Sequence, residues 1–100
     1  MEKYSSKKID EFRRLILPIE LRARMGLGNK KEETEKFYIT LQKAGHIIVM
    51  QPAKEDTPNA LKIDELGRIK FPIELMEEMG WGIRKAVEIY YVDEKMAIFK

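Results

Sequence analysis

Lys62-Ile63-Asp64-Glu65-Leu66-Gly67-Arg68-Ile69-Lys70-Phe71-Pro72-Ile73-Glu74-Leu75, closed by Met79-Gly80-Trp81-Gly82, is the stretch whose reading decides the fold. Asp64 opens and Gly67 closes a tight turn between Leu61/Ile63 and Ile69/Phe71, because glycine takes positive φ where other residues are strained. Arg68 begins the return strand. Pro72 suits the first helical position, where its missing N–H loses no partner, and Glu74 sits beside the positive end of the helix dipole. The helix must be short, since Gly80 supplies a left-handed stop and Trp81 is placed to fold back on Leu75.

The same order of residues stands 54 positions upstream as Lys8-Ile9-Asp10-Glu11-Phe12-Arg13-Arg14-Leu15-Ile16-Leu17-Pro18-Ile19-Glu20-Leu21, closed by Met25-Gly26-Leu27-Gly28. A tandem repeat of two strand-strand-helix-strand-strand units is therefore expected. In the upstream turn Arg13 fills the position of Gly67. Either that position is not left-handed or Arg13 is strained by about 1 kcal/mol or more; a slightly rebuilt turn is the plainer expectation.

Around these motifs the chain divides at 1–50, a linker at 51–59, and 60–100. Tyr4 to Ile9 reads as a strand, with Lys7 and Lys8 pointing to opposite faces. Leu21 and Met25, four apart, make one buried stripe on the first helix. Glu20 precedes Arg24 by four, the favourable orientation for a helical ion pair, which leaves Arg22 the freer cation. Residues 29–35 contain no apolar side chain and read as an exposed loop insertion. Lys36 to Gln42 alternates Phe37, Ile39 and Leu41 with polar residues, and His46 to Met50 returns as its partner strand. Pro52 and Pro58 argue against a strand in the linker. In the second half, Ala86 to Val92 and Lys95 to Lys100 form the last hairpin.

Composition narrows the function. The 100 residues are 44% hydrophobic and 36% charged, as in an ordinary globular domain. No apolar run is long enough to span a membrane, and no apolar signal core opens the chain, so a cytoplasmic location is expected. There is no Cys, hence neither a disulfide nor a thiolate metal site. His46 is the lone histidine, and zinc sites need three or four protein ligands, so a solvated or structural role is expected. No cofactor and no enzymatic activity are expected: no nucleophile and base, or carboxylate pair, stands in a recognisable motif. The glycines after each helix are stops, not phosphate loops, which open helices. Tyr90, Tyr91, Phe99 and the methionines read as packing.

Charge divides unevenly. Residues 1–54 hold 12 Lys/Arg against 7 Asp/Glu, and residues 55–100 hold 7 against 10, so the first half is the expected partner for phosphate. On the second helix Glu77 and Glu78 replace Ala23 and Arg24. Glu78 follows Glu74 by four and lies near the negative dipole end, so local effects oppose it.

The string Asp-Glu-Leu-Gly-Arg followed by Pro-Ile-Glu-Leu and a glycine resembles the AbrB-type DNA-binding domain, a family that includes SpoVT-like regulators and MazE-like antitoxins. The resemblance covers roughly residues 7–50 and 61–100. It implies a mainly β fold, the swapped-hairpin barrel, which two identical chains normally build together. Here the two units would close one barrel within a chain; two chains forming two barrels is the alternative. It further implies transcriptional regulation through a basic face laid on double-stranded DNA. The family's basic positions fall on Lys7, Arg14 and Arg22 in the first unit. The second keeps Arg68 but has Leu61 and Met76 at the others. Lys8, Arg13 and Arg24 complete the expected face. A second reading is a protein-interaction or oligomerisation module that docks a basic partner, or another copy, on Glu74, Glu77 and Glu78. The antitoxin form is disfavoured because no tail follows the last strand.

Overall fold

The computed structural model describes residues 1–28 and 36–100; the loop expected at 29–35 lies outside them. Among the described residues, eight strands and two helices follow one another as β1 (Glu2–Lys8), β2 (Arg14–Ile16), α1 (Ile19–Arg24), β3 (Tyr38–Ala44), β4 (Ile47–Ala53), β5 (Leu61–Lys62), β6 (Arg68–Lys70), α2 (Ile73–Met79), β7 (Ala86–Asp93) and β8 (Met96–Phe99). The fold is mainly β. Six strands form an antiparallel sheet in the order β1-β7-β8-β4-β3-β5, and β2 pairs with β6 as a separate two-stranded ribbon.

Every strand before residue 54 pairs with one after residue 60: β1 on β7, β2 on β6, β3 on β5 and β4 on β8. Neither half completes its hydrogen-bond ladders alone, so edge groups of one half are satisfied by the other. The core reflects this interleaving. Ile9, Leu15, Leu17, Leu21, Ile39 and Ile48 from the first half meet Ile69, Phe71, Val87, Ile89 and Phe99 from the second, all essentially inaccessible to solvent. Phe71 stacks edge-on with Phe99 and with Trp81, each 6.0 Å between centroids. Full burial of such a ring contributes about 2–3 kcal/mol.

Local chemistry sets the element ends. Pro18 and Pro72 sit one position before their helices with extended ψ of 138° and 141°, a shift of one residue from the expected first helical position. Proline's fixed φ suits either place, and the extended ψ lets it close the preceding strand segment. Gly80 adopts φ 70° and donates to Glu77 O while Trp81 N donates to Met76 O, the closing bonds of a left-handed helix stop. Gly26 and Leu27 repeat those bonds on Ala23 and Arg22. The principal aromatic neighbour of Trp81 is Phe71.

One strand outruns its expected end. β4 continues through Gln51 and Pro52 to Ala53, with Pro52 opposite Ile39. Past Met50 the β8 ladder has ended, so β4 has a free outer edge where a missing N–H costs no ladder bond. The segment joining the halves accordingly contains no regular structure only from Lys54 to Ala60.

Candidate nucleic-acid interface

The β2–β6 ribbon sorts its side chains by strand alternation. Leu15 and Ile69 face each other at its centre and are buried, which turns Arg14, Ile16, Arg68 and Lys70 to the opposite, outward face. Arg14 stands opposite Lys70, and Ile16 opposite Arg68. Three of these four outward positions are therefore cationic.

The turns that enter the ribbon aim the arginines. Asp10 Oδ1 accepts from the backbone N–H of Phe12 at 2.9 Å and of Arg14 at 2.8 Å, while its Oδ2 accepts from Arg14 Nε at 2.9 Å. Asp64 repeats the arrangement with Leu66 N at 2.9 Å, Arg68 N at 2.8 Å and Arg68 Nε at 2.7 Å. Because each aspartate grips only Nε, the two Nη groups of each guanidinium are held in a set direction and remain donors for an anion. Burial acts to raise the carboxyl pKa of Asp10 and Asp64, but the hydrogen bonds from Arg14 and Phe12, and from Arg68 and Leu66, outweigh it and hold both below the ordinary aspartate value. The Arg14 guanidinium also lies 4.8 Å from the centroid of the exposed Phe12 ring.

The first turn is not rebuilt. Arg13 adopts φ 66° where Gly67 adopts φ 79°, and both turns close with the same pair of backbone bonds. Arg13 thus accepts the strained conformation. Its N–H donates to Asp10 O, and its Nε donates to Phe71 O at 3.1 Å across the two halves. This fixes the half-buried side chain at the end of the ribbon.

The helix cations depart from their expected roles. Arg22 is half-buried, with Nη1 donating to Gly28 O at 3.2 Å, its guanidinium pressed on Gly67, and its Nε buried with no partner among the described residues. Arg22 is the more buried of the two, but it has fewer partners than Arg24. Arg24 turns away from Glu20 to donate to Tyr4 Oη at 2.7 Å and Glu2 Oε1 at 3.1 Å, and it lies 3.8 Å over the Tyr91 ring. A tertiary partner that offers both an aromatic face and a carboxylate outcompetes a single exposed helical pair. Lys7 and Lys8 are exposed at the end of β1, opposite Val87 and Ala86.

Three further cations escaped the expectation. Lys70 lies two residues after Arg68 in one strand, so period-two alternation was the signal for its outward position. Arg84 and Lys85 reach the end of β1 through Arg84 N donating to Ile9 O and Ile9 N donating to Lys85 O, a tertiary contact with no sequence signal. On α2, Glu74, Glu77 and Glu78 are exposed and make no ion pair among the described residues. His46 is exposed beside the β3–β4 turn, and among the described residues no group of three His, Asp or Glu side chains could hold a metal ion. Among the described residues no helix is long and apolar enough to cross a membrane.

A known regulator shares part of this sequence. Over 39 residues the chain is 49% identical to the transition state regulatory protein AbrB of Bacillus subtilis (strain 168). The match covers 39% of this chain and 41% of that protein, so it spans less than half of either. No protein-family model matches the chain, and no solved structure matches it.

Proposed function

We propose that the chain is a DNA-binding transcriptional regulator of the AbrB/SpoVT type, in which residues 1–50 and 60–100 are tandem units closing one swapped-hairpin barrel. The observation that carries the reading is the ribbon: Arg14, Arg68 and Lys70 share its outward face, and aspartates orient both arginines. Strand pairing between the halves supports a single barrel, and the partial likeness to AbrB supports the regulatory class. The DNA face is shared between the halves and not confined to the first, since Arg68 and Lys70 come from the second. Arg13 extends it as a phosphate contact, and one of Lys7 and Lys8, which point to opposite faces of β1, joins it. Arg22 and Arg24 act as positioning residues that hold the second turn and the β1–β7 ladder.

Phosphate contacts make affinity fall steeply with salt, each contact adding about one unit to the slope of log K against log salt. Fluorescence anisotropy on short A/T-rich duplexes across a salt series tests this. Arg14→Ala with Arg68→Ala lowers the slope by about two units, whereas Arg24→Ala leaves it unchanged. Absence of binding by the wild type at low salt would sink the DNA reading. Glu74, Glu77 and Glu78, exposed and without an ion pair among the described residues, would then favour the second reading, a module that docks a basic protein face.

A further inference from the structure

We propose that the ribbon binds an asymmetric DNA site in one fixed orientation, because its two ends carry different chemistry. This rests on the DNA reading above and specifies the kind of site. A half-turn about the central Leu15–Ile69 pair exchanges Arg14 with Arg68 and Ile16 with Lys70. Where two identical chains supply such a ribbon, that rotation leaves the surface unchanged, and the matching DNA is a palindrome. Here one chain supplies both strands, and the rotation exchanges the unlike Ile16 and Lys70 while the two arginines match.

At one end Arg14 and Lys70 stand side by side, the strained Arg13 closes the turn, and Phe12 is the apolar tip, 59% exposed. Lys7 and Lys8, on opposite faces of β1, precede this turn, and Arg84 and Lys85 meet Ile9 beside it through backbone hydrogen bonds. At the other end Arg68 stands beside Ile16, which is 50% exposed; Leu66 is the tip, 63% exposed; and Gly67 lies beneath Arg22. The positions equivalent to Lys7 and Lys8 are Leu61 and Lys62. The first end is a multi-cation anchor suited to phosphates and guanine edges. The second offers the Arg68 guanidinium beside Ile16 and Leu66, with the half-buried Arg22 guanidinium behind it over Gly67, and this more aliphatic surface suits a T-containing half-site through thymine methyl contacts. Presenting the same half-site to both ends leaves one of them mismatched.

Because the chain has no cysteine, a single one introduced at either turn tip is a unique attachment point for an iron–EDTA cleavage probe. Glu11 and Glu65 are exposed, occupy equivalent positions in the two turns, and make no ion pair among the described residues. Wild-type protein is first used to enrich its site from a random duplex pool. Glu11→Cys and Glu65→Cys, each carrying the probe, are then bound to that site on a duplex long enough for one chain. The expected result is cleavage on one flank by the first probe and on the opposite flank by the second. Replacing one half of the site by an inverted copy of the other weakens binding about tenfold or more. Equal cleavage of both flanks by each probe, or an enriched palindrome that binds as well as the asymmetric site, overturns the orientation proposal while leaving DNA binding intact. No enrichment at low salt overturns the DNA reading itself and this proposal with it.

Discussion

The Arg22 guanidinium lies across the α-carbon of Gly67: a methyl group built there would stand 2.8 Å from Arg22 Cζ and 2.9 Å from its Nε and Nη2. A helix side chain of the first half thereby covers the turn of the second. The 54-residue offset that relates the halves carries these two positions to Met76 and Arg13, so a bulky residue in the turn accompanies loss of the arginine on the helix.

Gly67→Ala is expected to destabilise the protein by about 1–2 kcal/mol, because the left-handed φ of 79° penalises a Cβ whatever space surrounds it. Arg22 adds a steric share, which Arg22→Ala relieves. Urea denaturation of the two single variants and the double variant should return a coupling of about 0.5 kcal/mol or more. Strict additivity would show that the guanidinium does not rest on the turn.

Arg13→Gly has a different signature. Relief of the strained φ and loss of the Arg13 Nε to Phe71 O hydrogen bond oppose each other at about 1 kcal/mol each, so stability changes by less than about 1 kcal/mol. The salt slope of DNA binding falls by about one unit as a cation leaves the ribbon end. A large stability loss with an unchanged slope would make Arg13 a structural residue alone.

Acid should weaken the two turns together. Both Asp10 and Asp64 titrate below their ordinary value of 3.8 in the folded protein, hydrogen bonds outweighing burial. A depressed folded pKa means that the carboxylates' stabilisation is fully present above the unfolded value and is lost as pH falls through the folded one. Urea midpoints should hold between pH 7 and pH 5 as far as these groups decide, then decline below about pH 4. The Asp10→Asn, Asp64→Asn double variant is expected to be less stable at pH 7 and to decline less on acidification. An acid decline equal to that of the wild type would remove these residues from the account.

The amino-acid sequence by itself determined what depends on neighbours a few residues apart. The Asp-to-Arg turns, the glycine helix stops, the buried alternation around Leu15 and Ile69, and the short helices after Pro18 and Pro72 all follow from relationships within one turn of chain. Such relationships draw on backbone freedom and hydrogen-bond reach, which adjacent residues largely settle. The tertiary structure decided what depends on residues far apart. It set which strands of the two halves pair, drew Arg24 to Glu2 and Tyr91 instead of Glu20, and laid Arg22 on Gly67. It also carried β4 through Pro52 along a free sheet edge and brought Arg84 and Lys85 to the end of β1. Whether a cation is presented to a partner or held within the fold depends on which distant carboxylate, ring or carbonyl folding places beside it, and chain-local spacing does not encode that neighbour.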